Sequence, residues 1–276
     1  MKIIENFNKE IKSFNDYENF LKELRKRIGD NDVRISDIYP CCCDFKATKE
    51  NIDKPFFSNN DWKKFWEVTK KYYPLHSVAG NFHFDTKEKI VSGESSNIKD
   101  FIGDIDSLKN KNVLEIGFGF GGAGFELLLN NINYFGIDYT YSNDLCIDFK
   151  QNNEKRFFEI SESGIPNNLK TIKYDLIFSK NVFQHLTQEQ RFDYIKESYS
   201  LLNNGGKLIF DVFEKSDKYV ERDSYSTLFF GVQTKIENED ELETYLIDCG
   251  YIFKKEISCK CCEETNVTKY ECIKII

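Results

Sequence analysis

The stretch Lys111 to Gly124, KNVLEIGFGFGGAG, decides the fold: an apolar strand runs into a glycine-rich turn, and the turn opens a helix. Val113, Leu114 and Ile116 are apolar and partly β-branched, as in a strand buried on both faces of a parallel sheet. Gly117, Gly119, Gly121 and Gly122 then bunch together before Phe125 to Leu129 resume at helical spacing. Glycines at such a turn adopt backbone angles that a Cβ forbids, and they let a ligand approach the main chain. The spacing Gly117-x-Gly119-x-x-Gly122 fits a dinucleotide fingerprint. Glu115, two residues before the first glycine, bends that reading. A carboxylate there is awkward beside a pyrophosphate and acceptable beside a cation.

Working outward, Asn133 to Asp138, NYFGID, gives a second strand that closes on an acid. Asp138 falls about 20 residues past the turn, where a carboxylate accepts hydrogen bonds from vicinal ribose hydroxyls. Tyr139 follows it, placed to lie beside an adenine. Ser142 to Asn152 reads as a short polar helix and Arg156 to Ile160 as a third strand, followed by Ser161-Glu162-Ser163-Gly164-Ile165-Pro166. Tyr174 to Ser179, YDLIFS, is the fourth strand, running into Lys180-Asn181-Val182-Phe183-Gln184-His185-Leu186. Thr187-x-x-Gln190 has the form of a capping box, opening a helix with Phe192, Ile195, Tyr199 and Leu202 toward the sheet. Asn203-Asn204-Gly205-Gly206 reads as its stop, and Lys207 to Phe213 as the fifth strand. Glu239 to Cys249 is a last helix ended by Gly250, with strands over Tyr251 to Ser258 and Val267 to Ile275.

Glu115-x-Gly117-x-Gly119-x-Gly121 resembles motif I of the class I S-adenosylmethionine (SAM)-dependent methyltransferases, whose cofactor carries a sulfonium and an amino group and no phosphate. The fourth strand with its "HL" turn looks like the family's motif IV, and the helix, Gly-Gly and fifth-strand order is similar to its next region. The resemblance covers roughly residues 106–213 and 239–276. It implies an α/β fold with a seven-stranded, mostly parallel doubly wound sheet in the order 3-2-1-4-5-7-6, the last strand antiparallel. It further implies SAM as cofactor: Gly117, Gly119 and Gly121 admit the methionine portion, Glu115 lies near its cationic end, and Asp138 holds the ribose. Tyr139, Ser161 and Glu162 meet the adenine, and Lys180 is counted with the cofactor-binding positions. His185 is the candidate catalytic residue, because an imidazole of near-neutral pKa suits the removal of a hydroxyl proton.

Residues 1–105 match no part of that pattern and read as a helical N-terminal cap over a 106–276 core, with helices at Asp16 to Arg27 and Asp61 to Tyr73 and with His76 and His83 beyond them. Residues 214–238 form an insertion at the sheet's carboxyl edge, where open α/β folds place substrates, or a solvated hairpin. Tyr219, Arg222, Tyr225, Phe229 and Phe230 there are candidates for substrate contact.

The 276 residues, 40% hydrophobic and 30% charged with a net charge of −8, describe an ordinary globular chain. The acidic balance argues against an extended nucleic-acid surface and against an anionic membrane. The polar first residues are no signal peptide and no apolar run reaches membrane length, so a cytoplasmic protein is expected. Nine cysteines include the clusters Cys41–Cys43 and Cys259, Cys261 and Cys262, neither with zinc-knuckle spacing; no metal is expected. The function expected is methyl transfer to an O or N nucleophile of a small molecule, such as a sugar, nucleotide-sugar or natural product. A nicotinamide or flavin oxidoreductase and a catalytically silent SAM-binding module stay open beside it.

Overall fold

A buried apolar run at Asn112–Ile116 (β1) forms the centre of the sheet, and four of its five residues are buried. A computed structural model describes residues 98–119, 121–139, 156–217, 227–229, 232–234, 236–237, 239–259 and 265–275. Around β1 the chain lays down Asn133–Asp138 (β2), Phe157–Glu159 (β3), Tyr174–Ser179 (β4), Leu202–Lys215 (β5), Tyr251–Cys259 (β9) and Thr265–Lys274 (β10). Three short strands lie between: Thr227–Phe229 (β6), Val232–Thr234 (β7) and Ile236–Glu237 (β8). The helices are Ile98–Ile102 (α1), Gly122–Leu129 (α2), Gln188–Leu201 (α3) and Glu239–Asp248 (α4).

The strand order is β3-β2-β1-β4-β5-β10-β9, the expected 3-2-1-4-5-7-6 with β9 and β10 as sixth and seventh. Strands β1 to β5 pair in parallel, and β10 enters antiparallel between β5 and β9. β2 and β4 have the bounds the sequence gives them, and β3 is shorter by a residue at each end. The capping box is present: Thr187 Oγ1 accepts from the Gln190 amide, and Gln190 Oε1 accepts from the Thr187 amide at 2.9 Å.

One expectation about local structure changes. Asn203 to Gly206 do not form a loop that stops α3; the helix ends at Leu201 and the four residues belong to β5. The register explains this. Tyr174 pairs with Leu202 and Leu176 with Lys207, so the extra residues bulge out of the ladder, with Gly205 at φ 75° making the bend. The insertion supplies a β6–β7 hairpin, and β8 adds to the sheet as an eighth strand alongside Phe213 and Glu214.

One core cluster lies between the sheet and helices α3 and α4. Leu114, Ile137, Ile177, Leu208 and Phe210 meet Tyr194 and Ile195 of α3 and Leu242 and Leu246 of α4. Phe210 stacks on Phe183 at 4.9 Å and on Tyr270 at 5.4 Å. Phe192 and Tyr199 of α3 are half-buried at the rim, while Arg191, Tyr194, Ile195, Ser198 and Leu201 are its inward row. α1 buries Ile98, Phe101 and Ile102. The expected cap helices, His76, His83, the Ser142 to Asn152 helix and Cys41–Cys43 lie outside the described residues. Among those described, no helix is long and apolar enough to cross a membrane.

Candidate functional site

The glycine turn is fixed at both ends. Gly117 (φ 80°) donates from its amide to Ile137 O at 2.8 Å, and Gly121 (φ 83°) is the N-cap of α2. A Cβ on Gly117 would lie 2.3 Å from Val182 Cγ2, so the turn after β4 packs into the space this glycine leaves. Among the described residues, a Cβ on Gly119 (φ 55°) would meet nothing within 4 Å. One glycine is needed for close packing within the protein, and the other opens the turn outward.

Asp138, at the end of β2, is 8% exposed and joins the two strand ends. Its Oδ2 accepts from the Gly119 amide at 2.7 Å and its Oδ1 from the Tyr139 amide at 2.6 Å. Glu115 is buried beneath the turn, where Tyr134 Oη donates to its Oε2 at 2.6 Å. Tyr134 reaches it because Gly124 and Gly136 have no side chain: a Cβ on either would lie 2.5 Å or less from the tyrosine. That Tyr134–Glu115 contact is absent from the sequence reading, although both glycines mark it.

Tyr139 is half-buried, its hydroxyl 2.8 Å from Ser163 Oγ, and burial pushes the phenol pKa up. Gln190 Nε2 donates to the same Ser163 oxygen at 2.8 Å, so the N-terminal turn of α3 orients Tyr139. The loop after β3 is pinned to α3 by Gly164 N donating to Tyr194 Oη (2.8 Å) and Ile165 N donating to Glu197 Oε2 (3.1 Å). Ser161 and Glu162 stand exposed at its tip.

The end of β4 carries the charged part of the site. Ser179 Oγ donates to Ile116 O at 3.0 Å, tying β4 to β1. The Lys180 ammonium lies 5.7 Å from the centre of the Phe101 ring of α1. Burial pulls its pKa down, and the carboxylates of Asp211, Glu115 and Asp100 act against that shift. Asn181 holds φ 59° and donates its amide to Asp211 Oδ1 at 2.6 Å. Asp211, on β5, is 4% exposed. Burial pushes its carboxyl from 3.8 up to about 6, opposed by the Asn181 amide and the Lys180 charge.

That shift has a sign. A carboxyl raised in the folded state contributes most below about pH 4 and loses its contribution as pH rises through about 6. Ionised Asp211 therefore costs the fold about 3 kcal/mol at neutral pH.

His185 ends the 3-10 turn Phe183–His185, its amide donating to Val182 O at 2.9 Å. Here the near-neutral pKa expected from the residue type does not hold. Nδ1 is buried, and burial pushes the ring down to about 3, so the imidazole is neutral throughout the physiological range. Arg191 of α3, 1% exposed, donates from Nη1 to Leu186 O at 2.6 Å and holds this turn from behind. The sequence offers only a weak signal for it, a cation among the inward-facing positions of α3.

The structure thus gathers Gly117, Gly119, Gly121, Glu115, Asp138, Tyr139, Ser161, Glu162, Lys180 and His185 along the carboxyl edge of β1, β2, β3 and β4. Tyr219, Arg222, Tyr225 and Phe230 lie outside the described residues. Among the described residues no three His, Cys, Asp or Glu side chains are grouped to hold a metal ion.

Residues 114–208 match the family described as a methyltransferase domain. Uncharacterized methyltransferases of Bacillus cereus and Bacillus anthracis are each 30% identical over 148 residues, 49% of this chain and 66% of theirs. The chain therefore spans just under two thirds of the length of these curated relatives. Among solved structures, an O-methyltransferase family protein of Burkholderia thailandensis superposes with a TM-score of 0.55 at 11% identity, covering 95% of this chain and 71% of that one. Phosphoethanolamine N-methyltransferase 2 of Haemonchus contortus, in complex with phosphomonomethylethanolamine and S-adenosylhomocysteine, gives 0.53 at 15%, covering 81% and 62%. The 1,6-didemethyltoxoflavin-N1-methyltransferase of Burkholderia thailandensis, with its substrate and S-adenosylhomocysteine bound, gives 0.52 at 14%, covering 81% and 93%. Strand order, glycine turn and sequence match agree: residues 114–208 match a methyltransferase domain, and the chain is similar to SAM-dependent methyltransferases in sequence and in fold.

Proposed function

We propose that this protein binds SAM and moves its methyl group to an O or N nucleophile of a small molecule, such as a sugar, nucleotide-sugar or natural product. The observation that carries this reading is the 2.7 Å bond between the Gly119 amide and Asp138 Oδ2, at a turn where Gly119 has open space among the described residues. It brings the glycine turn and the strand-end carboxylate to one place, as a nucleoside joined to an amino acid requires. Bound there, SAM would supply an electrophilic methyl on a positively charged sulfur.

Each residue then has a task. The open side of Gly119 admits the methionine portion, and the Glu115 charge beneath the turn favours its cationic end. A carboxylate offers about four acceptor sites, so ribose hydroxyls add to the two amide bonds Asp138 already accepts. Tyr139, held by Ser163, lies along the adenine, with Ser161 and Glu162 at its edge. Lys180 closes the cofactor side at the end of β4. The transfer depends chiefly on holding nucleophile, methyl carbon and sulfur in line.

A small acceptor is supported by the acidic net charge of −8 and by the small molecules bound in the Haemonchus phosphoethanolamine N-methyltransferase and the Burkholderia 1,6-didemethyltoxoflavin-N1-methyltransferase. The test is binding with cofactor discrimination. SAM at about 100 times its dissociation constant adds roughly 2.7 kcal/mol of stability. The melting temperature should then rise by about 5–10 °C, with no rise for NAD or a flavin. A rise with NAD and none with SAM would make the protein an oxidoreductase. SAM binding with no release of S-adenosylhomocysteine across acceptor panels would make it a silent module.

His185 is assigned to the acceptor side as a neutral imidazole. With a pKa near 3 it accepts a proton only as the methyl arrives. His185→Gln should keep SAM affinity and lower turnover by roughly 10²-fold, and the wild-type rate should show no inflection near pH 6.5 from this ring. Near-normal turnover of the variant would leave His185 with packing alone.

A further inference from the structure

Asp211 belongs to no motif, yet it touches the site through a short chain of contacts. Its Oδ1 accepts the Asn181 amide at 2.6 Å, and Asn181 is held at φ 59°, a left-handed conformation uncommon outside glycine. The next residue, Val182, fills the space left by Gly117. From β5 to the glycine turn there are thus three steps: Asp211, Asn181, Val182. An acceptor lost at Asp211 leaves the part-buried amide of the left-handed turn without its bond.

The charges around Asp211 point the same way. Lys180 stands beside it at the end of β4, and Glu115 of β1 and Asp100 of α1 both act on Lys180. On β10 the residue opposite Asp211 is Lys269, which is ion-paired with Glu256 at 3.3 Å. Farther along β5, Glu214 accepts from Tyr270 Oη. Among the described residues, the groups nearest the end of β4 therefore comprise three carboxylates and one ammonium, a surplus of negative charge. A buried carboxylate that costs stability is retained more readily where a cation binds against it.

We propose that Asp211 is a positioning residue for methyl transfer: ionised, it locks the turn after β4 onto the glycine turn and provides negative charge for the sulfonium of SAM. This rests on the SAM reading above. It is the charge of Asp211, and not only its shape, that the site uses. SAM and S-adenosylhomocysteine separate the two, because they share every part except the charged methyl-sulfonium.

The experiment is calorimetric titration of the full chain with SAM and with S-adenosylhomocysteine, from about pH 5 to about pH 7.5, for wild type and Asp211→Asn. The variant keeps an oxygen to accept the Asn181 amide and removes the charge. In the wild type, the preference for SAM over S-adenosylhomocysteine should fall about tenfold as pH drops through about 6. In Asp211→Asn the preference should be flat and close to the wild-type value at about pH 5. The variant should also melt above wild type at about pH 7.5 and level with it near pH 4, the opposite of what loss of a structural bond would do. A variant with the wild-type slope overturns the proposal. If the variant does not fold, the wild type alone decides: a SAM-to-S-adenosylhomocysteine ratio constant across this range overturns it. Failure of the wild type to bind either ligand would instead reject the SAM reading itself.

Discussion

Asp138→Ala is expected to weaken SAM binding by about 2–4 kcal/mol, roughly 30- to 1000-fold, because two charge-assisted hydrogen bonds to a ribose are lost. Besides the ribose role proposed for it, the side chain has partners within the protein. It is 8% exposed and accepts the amides of Gly119 and Tyr139, so the Ala variant also loosens the glycine turn from β2. A fall in melting temperature should accompany the loss of affinity. Asp138→Asn separates the effects: one amide bond can be kept by its single carbonyl oxygen, while acceptance from both hydroxyls cannot. Unchanged SAM affinity in a folded Asp138→Ala protein, measured by calorimetry, would remove the ribose role.

Gly117→Ala should lower stability by about 2–5 kcal/mol. Part of this comes from holding a residue with a Cβ at φ 80°, and part from a methyl 2.3 Å from Val182 Cγ2. The double variant with Val182→Ala should recover the steric part and leave the backbone part. Gly119→Ala makes the contrast. Its φ of 55° is also left-handed, but its Cβ meets no atom of the described residues within 4 Å, so the stability loss should be smaller, about 1 kcal/mol. Its larger effect should fall on SAM affinity, since the methyl enters the space assigned to the cofactor. Denaturant midpoints and calorimetry on the two single variants would reverse these assignments if Gly119→Ala bound SAM normally while Gly117→Ala stayed fully stable.

These two glycines also show how far the sequence alone reaches. Their spacing after β1 marks a turn that can admit a ligand, and it does not say which glycine is open and which faces Val182. That distinction belongs to the turn after β4, which the chain reaches only after β2, β3 and their loops. Local signals were legible wherever the determinant was local. β2 and β4 have their expected bounds because each is a short apolar run ended by a polar turn, and α3 starts where its capping box places it. Asn203 to Gly206 reads in the sequence as a helix stop and forms a bulge in the fold, because a Gly-containing run serves either purpose and only the β4–β5 register separates them.

The sequence by itself determined the element order, the glycine turn, the acid at the end of β2 and, through a family resemblance, the strand order. Only the tertiary structure decided the states of the polar side chains. His185 is driven to a pKa of about 3 by what surrounds it. Asp211 reads in the chain as one polar residue in an apolar strand, and it becomes part of the site through an amide 30 positions away. Glu115 finds Tyr134 across 19 positions, through room left by two glycines. The physical reason is the same in each case. Periodicity and caps are written in neighbours a few residues apart, whereas desolvation and hydrogen-bond partners come from segments that only folding brings into contact.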